Sequence, residues 1–377
     1  MKPLEGVRVL DLSRILAGPL CTMWMADLGA EVIKVEKPGA GDETRRWGPP
    51  FVAGESAYFL AVNRGKYGIA LDLSTEEGQK ILRELILRAD VVVHNFLPST
   101  AQKLGVSYEE VQALNPRAVY VAILGFPPGP YREEPGFDAL IQALGGFLAI
   151  TGEDERPAKV GVAIVDVLTA WAALAGTLGA LLIREKTGKG MAVEATLIEN
   201  SAAALVNVAQ AFLLTQKEPK RLGTAHPHIV PYQAFPTADG LIMVAVGTDQ
   251  QFRSLCQVLG KPELAEDPRF ATNPSRVQNR ELLVAILTEV FLKRPRDEWV
   301  QELKKAGVPA GPVNRLADLF GDPGLVGRIL LEVEHPAVGR YQTLACPVSL
   351  AWPPSPLPPP RLGEHTAEIL ERLGIKI

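Results

Sequence analysis

The chain has 377 residues, 47% of them hydrophobic and 22% charged, with a formal net charge of −4. Such a composition excludes a disordered chain and a generally basic surface that recruits nucleic acid, and the length favours two domains over one core. A local basic patch for a phosphorylated cofactor is compatible with these numbers.

In chain order, Arg8 to Leu12 (RVLDL) reads as a strand, and Gly18-Pro19 opens a helix that ends near Gly29. Glu31 to Glu36 (EVIKVE) is the next strand, which completes a strand–helix–strand unit. Helix-like and strand-like segments go on alternating. Thr75–Arg88, Tyr108–Leu114 and Asp138–Leu144 read as helices, and Asp90–His94 and Val119–Leu124 as strands. The uncharged run Val167–Ile183, bounded by Asp166 and Arg184, falls slightly short of a membrane span and reads as a buried helix. A strand at Ala192–Ala195 and a helix at Leu197–Leu214 follow.

The character changes after Lys217. Pro231–Gly247 reads as two strands turned at Ala238-Asp239-Gly240, followed by helices at Gln250–Leu259, Arg280–Leu292 and Arg296–Lys305. Leu331–Trp352 is strand-rich, Pro353–Pro360 reads as a stiff connector, and Glu364–Leu373 as an amphipathic helix. The predicted fold class is α/β: a doubly wound, Rossmann-like large domain from residues 1–200 and 327–377, a linker at 201–222, and a smaller α+β domain at 223–326 that includes the link back. Three widely spaced cysteines without a CxxC pair, and a start without the apolar core of a signal peptide, point to a reducing cytoplasm and to no disulfide framework.

The loop after the first strand, SRILAGPL, lacks GxGxxG, and no P-loop, HExxH or GxSxG is present. Hydride, phosphoryl and serine-hydrolase signatures are therefore missing. His226 and His228 in AHPHIVPY have the form of a metal pair, but HxH in a Pro-flanked loop is usually structural, so no metal is expected. Asp166 follows the small-residue run KVGVAIV and opens the apolar helix. It reads either as an ordinary N-cap or as a carboxylate that the helix end keeps ionised for nucleophilic attack on an acyl group.

The segment KVGVAIVDVLTAWAALAGTLGALLIREKTGKG resembles the active-site region of class III CoA-transferases, which include formyl-CoA transferase, carnitine CoA-transferases and alpha-methylacyl-CoA racemase. LEGVRVLDLSRILAGPLCTMWMADLGAEVIKVEKPGAGDETR, LAVNRGKYGIALDL, ADVVVHNF, GFDALIQALGG, DPRFATNPSRVQNR and PPRLGEHT extend the resemblance, in order, over essentially the whole chain. The resemblance implies that Asp166 carries the acyl group. It also implies that Ala17, Gly18, Lys37, Leu71, Asp72, Leu73, Ser74, Asn95, Phe96, Leu97, Lys103 and Asp138 contact coenzyme A. Leu16 stands where formyl-CoA transferase has Gln, and Lys103 replaces an Arg, which keeps the charge but loses a bidentate contact.

Racemases carry a His just before the Asp of the GFD-like motif; here that residue is Phe137, which cannot shuttle a proton. WGPPFVAGESAYFLAVNRGK, KRLGTAHPHIVPYQAF and VEHPAVGR are most similar to the succinate–hydroxymethylglutarate CoA-transferase branch, which passes CoA between dicarboxylic acids; the resemblance implies succinyl-CoA as donor and a dicarboxylate such as glutarate or hydroxymethylglutarate as acceptor. Arg64 is the candidate for the distal carboxylate, with Tyr232 and His228 as weaker ones. A racemase-type isomerase and a non-catalytic CoA-binding protein are the alternatives. The resemblance further implies an interlocked homodimer, and neither nucleic acid nor membrane is expected as a partner.

Overall fold

The computed structural model describes residues 2–348, 352–353, 355 and 357–375, which form two compact units. The first comprises Met1–Leu148, Lys159–Glu218 and Gly327–Ile377, and the second Ala149–Ala158 and Pro219–Val326.

The first unit is built on a parallel sheet of six strands: β1 (Arg8–Asp11), β2 (Glu31–Glu36), β3 (Lys66–Ala70), β4 (Val91–His94), β5 (Val119–Leu124) and β6 (Ala192–Thr196). Their order across the sheet is β6-β5-β4-β1-β2-β3. Along each strand, side chains alternate between two cores. Val9, Val32, Val91 and Val119 pack on one face with helix α1 (Ala17–Asp27). Leu10, Ile33, Ile69 and Val92 pack on the other with α2 (Glu76–Arg88). Every residue of β5 is buried, as a strand covered on both faces requires. The strand order reverses between β1 and β4, so the loops after them diverge and leave a crevice at the carboxyl end of the sheet.

Around that crevice lie α3 (Pro98–Lys103), α4 (Tyr108–Leu114), α5 (Asp138–Leu144) and α6 (Ile164–Thr187). Helix α6 is long and apolar enough to cross a membrane by length and composition. It nevertheless packs a stripe at helical spacing (Val165, Thr169, Ala170, Ala173, Thr177, Ala180) into the unit, and its Trp171 stacks on Trp24 of α1 with ring centroids 4.0 Å apart. Gly188, at φ 73°, ends it in the left-handed conformation.

Three expectations need correction here. The helix predicted at Leu197–Leu214 is two helices, α7 (Leu197–Ala204) and α8 (Val206–Thr215), bent by 78°. Val206 adopts φ 38°, which interrupts the hydrogen-bond ladder although no Gly or Pro marks the break. Most of the stretch predicted as a linker, 201–222, is therefore helical and belongs to the first unit up to Glu218. Residues 149–158 belong with the second unit, because Gly223 donates its backbone N–H to the carbonyl of Gly152 at 2.8 Å.

The second unit has an antiparallel sheet of β7 (Tyr232–Pro236), β8 (Leu241–Ala245) and β9 (Ala310–Pro312), covered by α9 (Asp249–Val258), α10 (Arg280–Phe291) and α11 (Arg296–Lys305). Phe235, Phe252, Phe270, Phe291 and Trp299 dominate its core. The chain returns to the first unit through the hairpin β10 (Leu330–His335) and β11 (Gly339–Leu344) and ends in α12 (Thr366–Arg372). Residues 349–351, 354 and 356 of the predicted strand-rich and proline-rich stretches lie outside the described residues.

Candidate active site

Asp166 sits in the first turn of α6, half-buried, on the wall of a cavity of about 270 Å³ at the crevice between β1 and β4. Arg14, Leu16, Ala17, Asn95, Phe96, Leu97, Phe137 and Asp138 share that wall. Asp166 is not the cap of its helix. The N-cap position is Ala163, whose side chain caps nothing, and the capping carboxylate is Asp138 from α5. One Asp138 oxygen accepts the N–H of Val165 at 2.8 Å and of Asp166 at 3.3 Å, and the other accepts from the Gln142 side chain at 2.7 Å. Gln142 in turn accepts from the Val160 N–H at 2.8 Å, which ties the strand of chain before α6 to α5.

This reverses the charge argument made from sequence. Those two helix-end amides are directed at Asp138 rather than at the Asp166 carboxylate. Burial, and then the neighbouring Asp138 charge, push the Asp166 carboxyl up to about 7. It is therefore part-protonated near neutrality instead of fully ionised. On these grounds kcat/KM for any reaction that uses Asp166 as a nucleophile should rise about tenfold per pH unit below 7 and level off above it. A rate–pH profile from pH 5 to 9 reads this directly, and a flat profile across pH 6–8 would contradict it.

A second cavity of about 320 Å³ adjoins the first. Arg14, Phe96 and Thr100 line both, so the two form one crevice. Lys37, Leu71, Asp72, Leu73 and Ser74, five of the residues expected to hold coenzyme A, come together on its wall, with Arg46 as a further cation. Asp72 accepts from the N–H of Ser74 at 3.0 Å and its hydroxyl at 2.6 Å, and these bonds hold its carboxyl below the usual range. The mixture of cations, glycines and apolar wall suits a phosphorylated ligand with a ring system.

The expected residues divide by what they do. Asn95 clamps the two loops of the crevice, accepting from the Arg14 N–H at 2.9 Å and donating to the Arg14 carbonyl at 2.7 Å. Phe96 is seated by buried, neutral His94, which accepts the Phe96 N–H at 3.1 Å and meets the Tyr120 hydroxyl at 2.6 Å. Gly18 is buried behind the cavity: a Cβ there would lie 2.3 Å from the Cβ and Oγ of Ser13, whose hydroxyl is held by Asp11. Gly18→Ala should therefore cost about 1–3 kcal/mol of stability and displace the Ser13–Leu16 loop. Thermal unfolding and KM for an acyl-CoA check this, and an unchanged Tm would contradict it. Lys103 ends α3 in solvent and lines neither cavity.

Arg64, the candidate for the distal carboxylate, lines neither cavity. Its side chain is fully buried and forms a bidentate ion pair with Asp27 of α1, the second bond at 2.7 Å. Tyr232 and His228 lie in the second unit, where the Tyr232 ring stacks on His226 at 5.3 Å and His228 is exposed.

Three features were missed. Tyr58 lies in the first turn of the short helix after Ser56, whose hydroxyl accepts the Tyr58 N–H at 3.2 Å; burial, and then the Asp166, Asp138 and Asp42 charges, push its phenol up to about 12, so it stays protonated at neutral pH. Arg14 is the cation on the wall of the Asp166 cavity. Both stand in segments whose role was apparent only from the resemblance. The third is a buried ionic network under the Ser13–Leu16 loop. Lys34 donates to the Ser13 carbonyl at 2.9 Å and to Asp42 at 3.0 Å, and Asp42 also accepts the Ile15 N–H at 3.3 Å. This holds Ile15 at φ 71°, an unfavourable conformation for a β-branched residue that persists only where its surroundings over-determine it. Lys66 reaches Asp11 at 3.0 Å; burial opposes the Asp11 charge, but Lys66, Lys34 and the Ser13 and Thr22 hydroxyls outweigh it and hold the carboxyl at about 2. Among the described residues no group of three or more His, Cys, Asp or Glu side chains is placed to hold a metal ion.

Comparison with known proteins shows the family. The chain is 44% identical to mouse succinyl-CoA:glutarate CoA-transferase over 99% of its own length and 87% of the relative's. It is 41% identical to succinate–glutarate CoA-transferase of Agrobacterium fabrum over 98% and 96%. The crystal structure of a CAIB/BAIF family protein from Brucella suis superposes with a TM-score of 0.87 at 43% identity, covering 99% of each chain. The profile of CoA-transferase family III matches residues 4–366, and the chain belongs to that family of enzymes.

Proposed function

We propose that this CoA-transferase moves CoA from succinyl-CoA to a second dicarboxylic acid such as glutarate, using Asp166 as the acyl carrier. The observation that carries the reading is the half-buried Asp166 carboxylate on the wall of one cavity that adjoins a second, cation-lined one. The relatives named for succinyl-CoA and glutarate support the choice of substrates.

The steps balance without ATP. Asp166 attacks the thioester carbonyl, a mixed anhydride forms and CoA thiolate leaves. The thiolate attacks the aspartyl carbonyl, giving an aspartyl-CoA thioester and free succinate. The acceptor carboxylate attacks that thioester and the two steps run in reverse order, ending in the new acyl-CoA and free Asp166. Each tetrahedral oxyanion needs donors in place beforehand. Water must be kept from both intermediates, or the enzyme becomes a hydrolase.

The active form in this proposal is a homodimer. The support is the resemblance together with α8, which buries none of its residues and leaves Leu213 and Leu214 64% and 75% exposed. A cytoplasmic setting is consistent with three free cysteines, two of them buried. Succinyl-CoA offered with a panel of carboxylic acids tests the substrate class. Dicarboxylates should outpace monocarboxylates of equal length by at least about tenfold in kcat/KM. Equal rates, or α-proton exchange without CoA transfer, would contradict the proposal.

A further inference from the structure

We infer that Asp138 is a positioning residue for the transfer reaction: it seats the first turn of α6 and holds a second carboxylate on the same cavity wall as Asp166. The inference rests on Asp166 being the nucleophile. It adds the reason why this carboxylate, placed where a helix end would ordinarily make it a weak base, is a competent one.

The geometry has two parts. The first is mechanical. Asp138 holds the Val165 and Asp166 amides, while Gln142, one helical turn on, holds both Asp138 and the Val160 amide. The chain that enters α6 is thus tied to α5 at three backbone N–H groups, and Asp166 inherits its position from them. The second is electrostatic. Three donors coordinate Asp138 purely as an acceptor, in a cavity wall that it shares with Asp166. Two carboxylates held together in partial burial do not ionise alike, and the one with fewer donors takes the penalty. The cation on that wall is Arg14, paired with Glu43 at 2.7 Å, and the Tyr58 phenol, pushed up to about 12, stays neutral. Burial is the first cause of the raised Asp166 carboxyl, and Asp138 is the neighbouring charge that adds to it.

The chemical value follows from the leaving group. A carboxylate of ordinary basicity attacking a thioester must expel a far more basic thiolate, so the mixed anhydride lies steeply uphill. A more basic Asp166 narrows that gap while staying substantially ionised near neutral pH.

The test compares Asp138→Asn, Asp138→Ala and Asp138→Glu with the native enzyme. Asn and Ala both remove the charge, Asn keeps a capping oxygen, and Glu keeps the charge. The acidic midpoint of kcat/KM should fall by about one pH unit or more in both Asn and Ala and stay near native in Glu. The plateau above pH 8 should fall about tenfold in Asn and further in Ala. A midpoint unmoved in Asn and Ala, with only the plateau lowered, would reduce Asp138 to a structural cap and overturn the inference. A substrate-free readout separates this from failure of the transferase reading: the ¹³C carboxyl signal of Asp166, assigned by its loss in Asp166→Asn, titrates in the folded protein. Its midpoint should drop in Asp138→Asn whether or not succinyl-CoA and glutarate are the substrates, and an unchanged midpoint overturns the inference.

Discussion

Asp166→Ala should lower CoA transfer by at least about a thousandfold while leaving the fold intact. The reaction needs a group that is acylated, then thioesterified, then released, and no neighbour substitutes for it. Asp138 shares the cavity, but its oxygens are engaged by the Val165 and Asp166 amides and by Gln142. Stability should move the other way. The Asp166 carboxyl is at about 7 in the folded protein, against about 4 for an unfolded chain, so the folded state binds this proton more tightly. The resulting stabilisation is complete below about pH 4 and is lost as pH rises through 7. Asp166→Asn, which removes the charge without changing the shape, should therefore match or exceed the native Tm at pH 8 while being inactive. A variant that loses activity and melts early would mean that the residue serves the fold.

The second large effect is expected at Arg64. Arg64→Ala should cost about 3–5 kcal/mol of stability, because it strands the Asp27 carboxylate without its guanidinium inside the protein. Among the described residues the remaining donor to that carboxylate is the Ser355 N–H at 3.4 Å, a weak replacement. The pair also joins α1 to the returning chain: Arg64 reaches the Leu344 carbonyl at 3.4 Å, and the Trp352 indole donates to the Asp27 carbonyl at 3.2 Å. Chemical denaturation measures the loss, and the ratio of dicarboxylate to monocarboxylate turnover in the folded fraction should not change. The double replacement Arg64→Met with Asp27→Leu should recover much of the stability, since it leaves no unpaired charge. A selectivity change without a stability change would restore Arg64 to the substrate site.

Much of the fold was legible because its signals are local. Strands β4 and β5 carry uninterrupted β-branched and apolar runs, and α4, α5 and α11 end where caps and turn residues place them. The grouping of Lys37 with Leu71–Ser74 on one wall was expected only from the resemblance; the structure brings them together because loops after parallel strands converge on one edge of the sheet.

What failed depends on partners distant in sequence. Asp27 lies 37 residues before Arg64, and nothing in AVNRGK distinguishes a buried arginine from an exposed one. Asp138 lies 27 residues before Val165, so the cap of α6 could not be found by looking next to it, and Asp166 was given that role instead. Lys34 interrupts an apolar strand without harm because Asp42 returns to meet it, and the same aspartate holds Ile15 in a conformation that its residue type disfavours. The break between α7 and α8 has no glycine or proline to announce it.

The central claim is that the acyl group and then CoA reside on Asp166. Incubating the enzyme with succinyl-CoA alone, reducing with borohydride and mapping the product by peptide mass spectrometry tests it most directly. The account predicts one modified peptide, with Asp166 converted to its alcohol, and none in Asp166→Asn. A reduction product at another residue, or none in a preparation that transfers CoA, would contradict it.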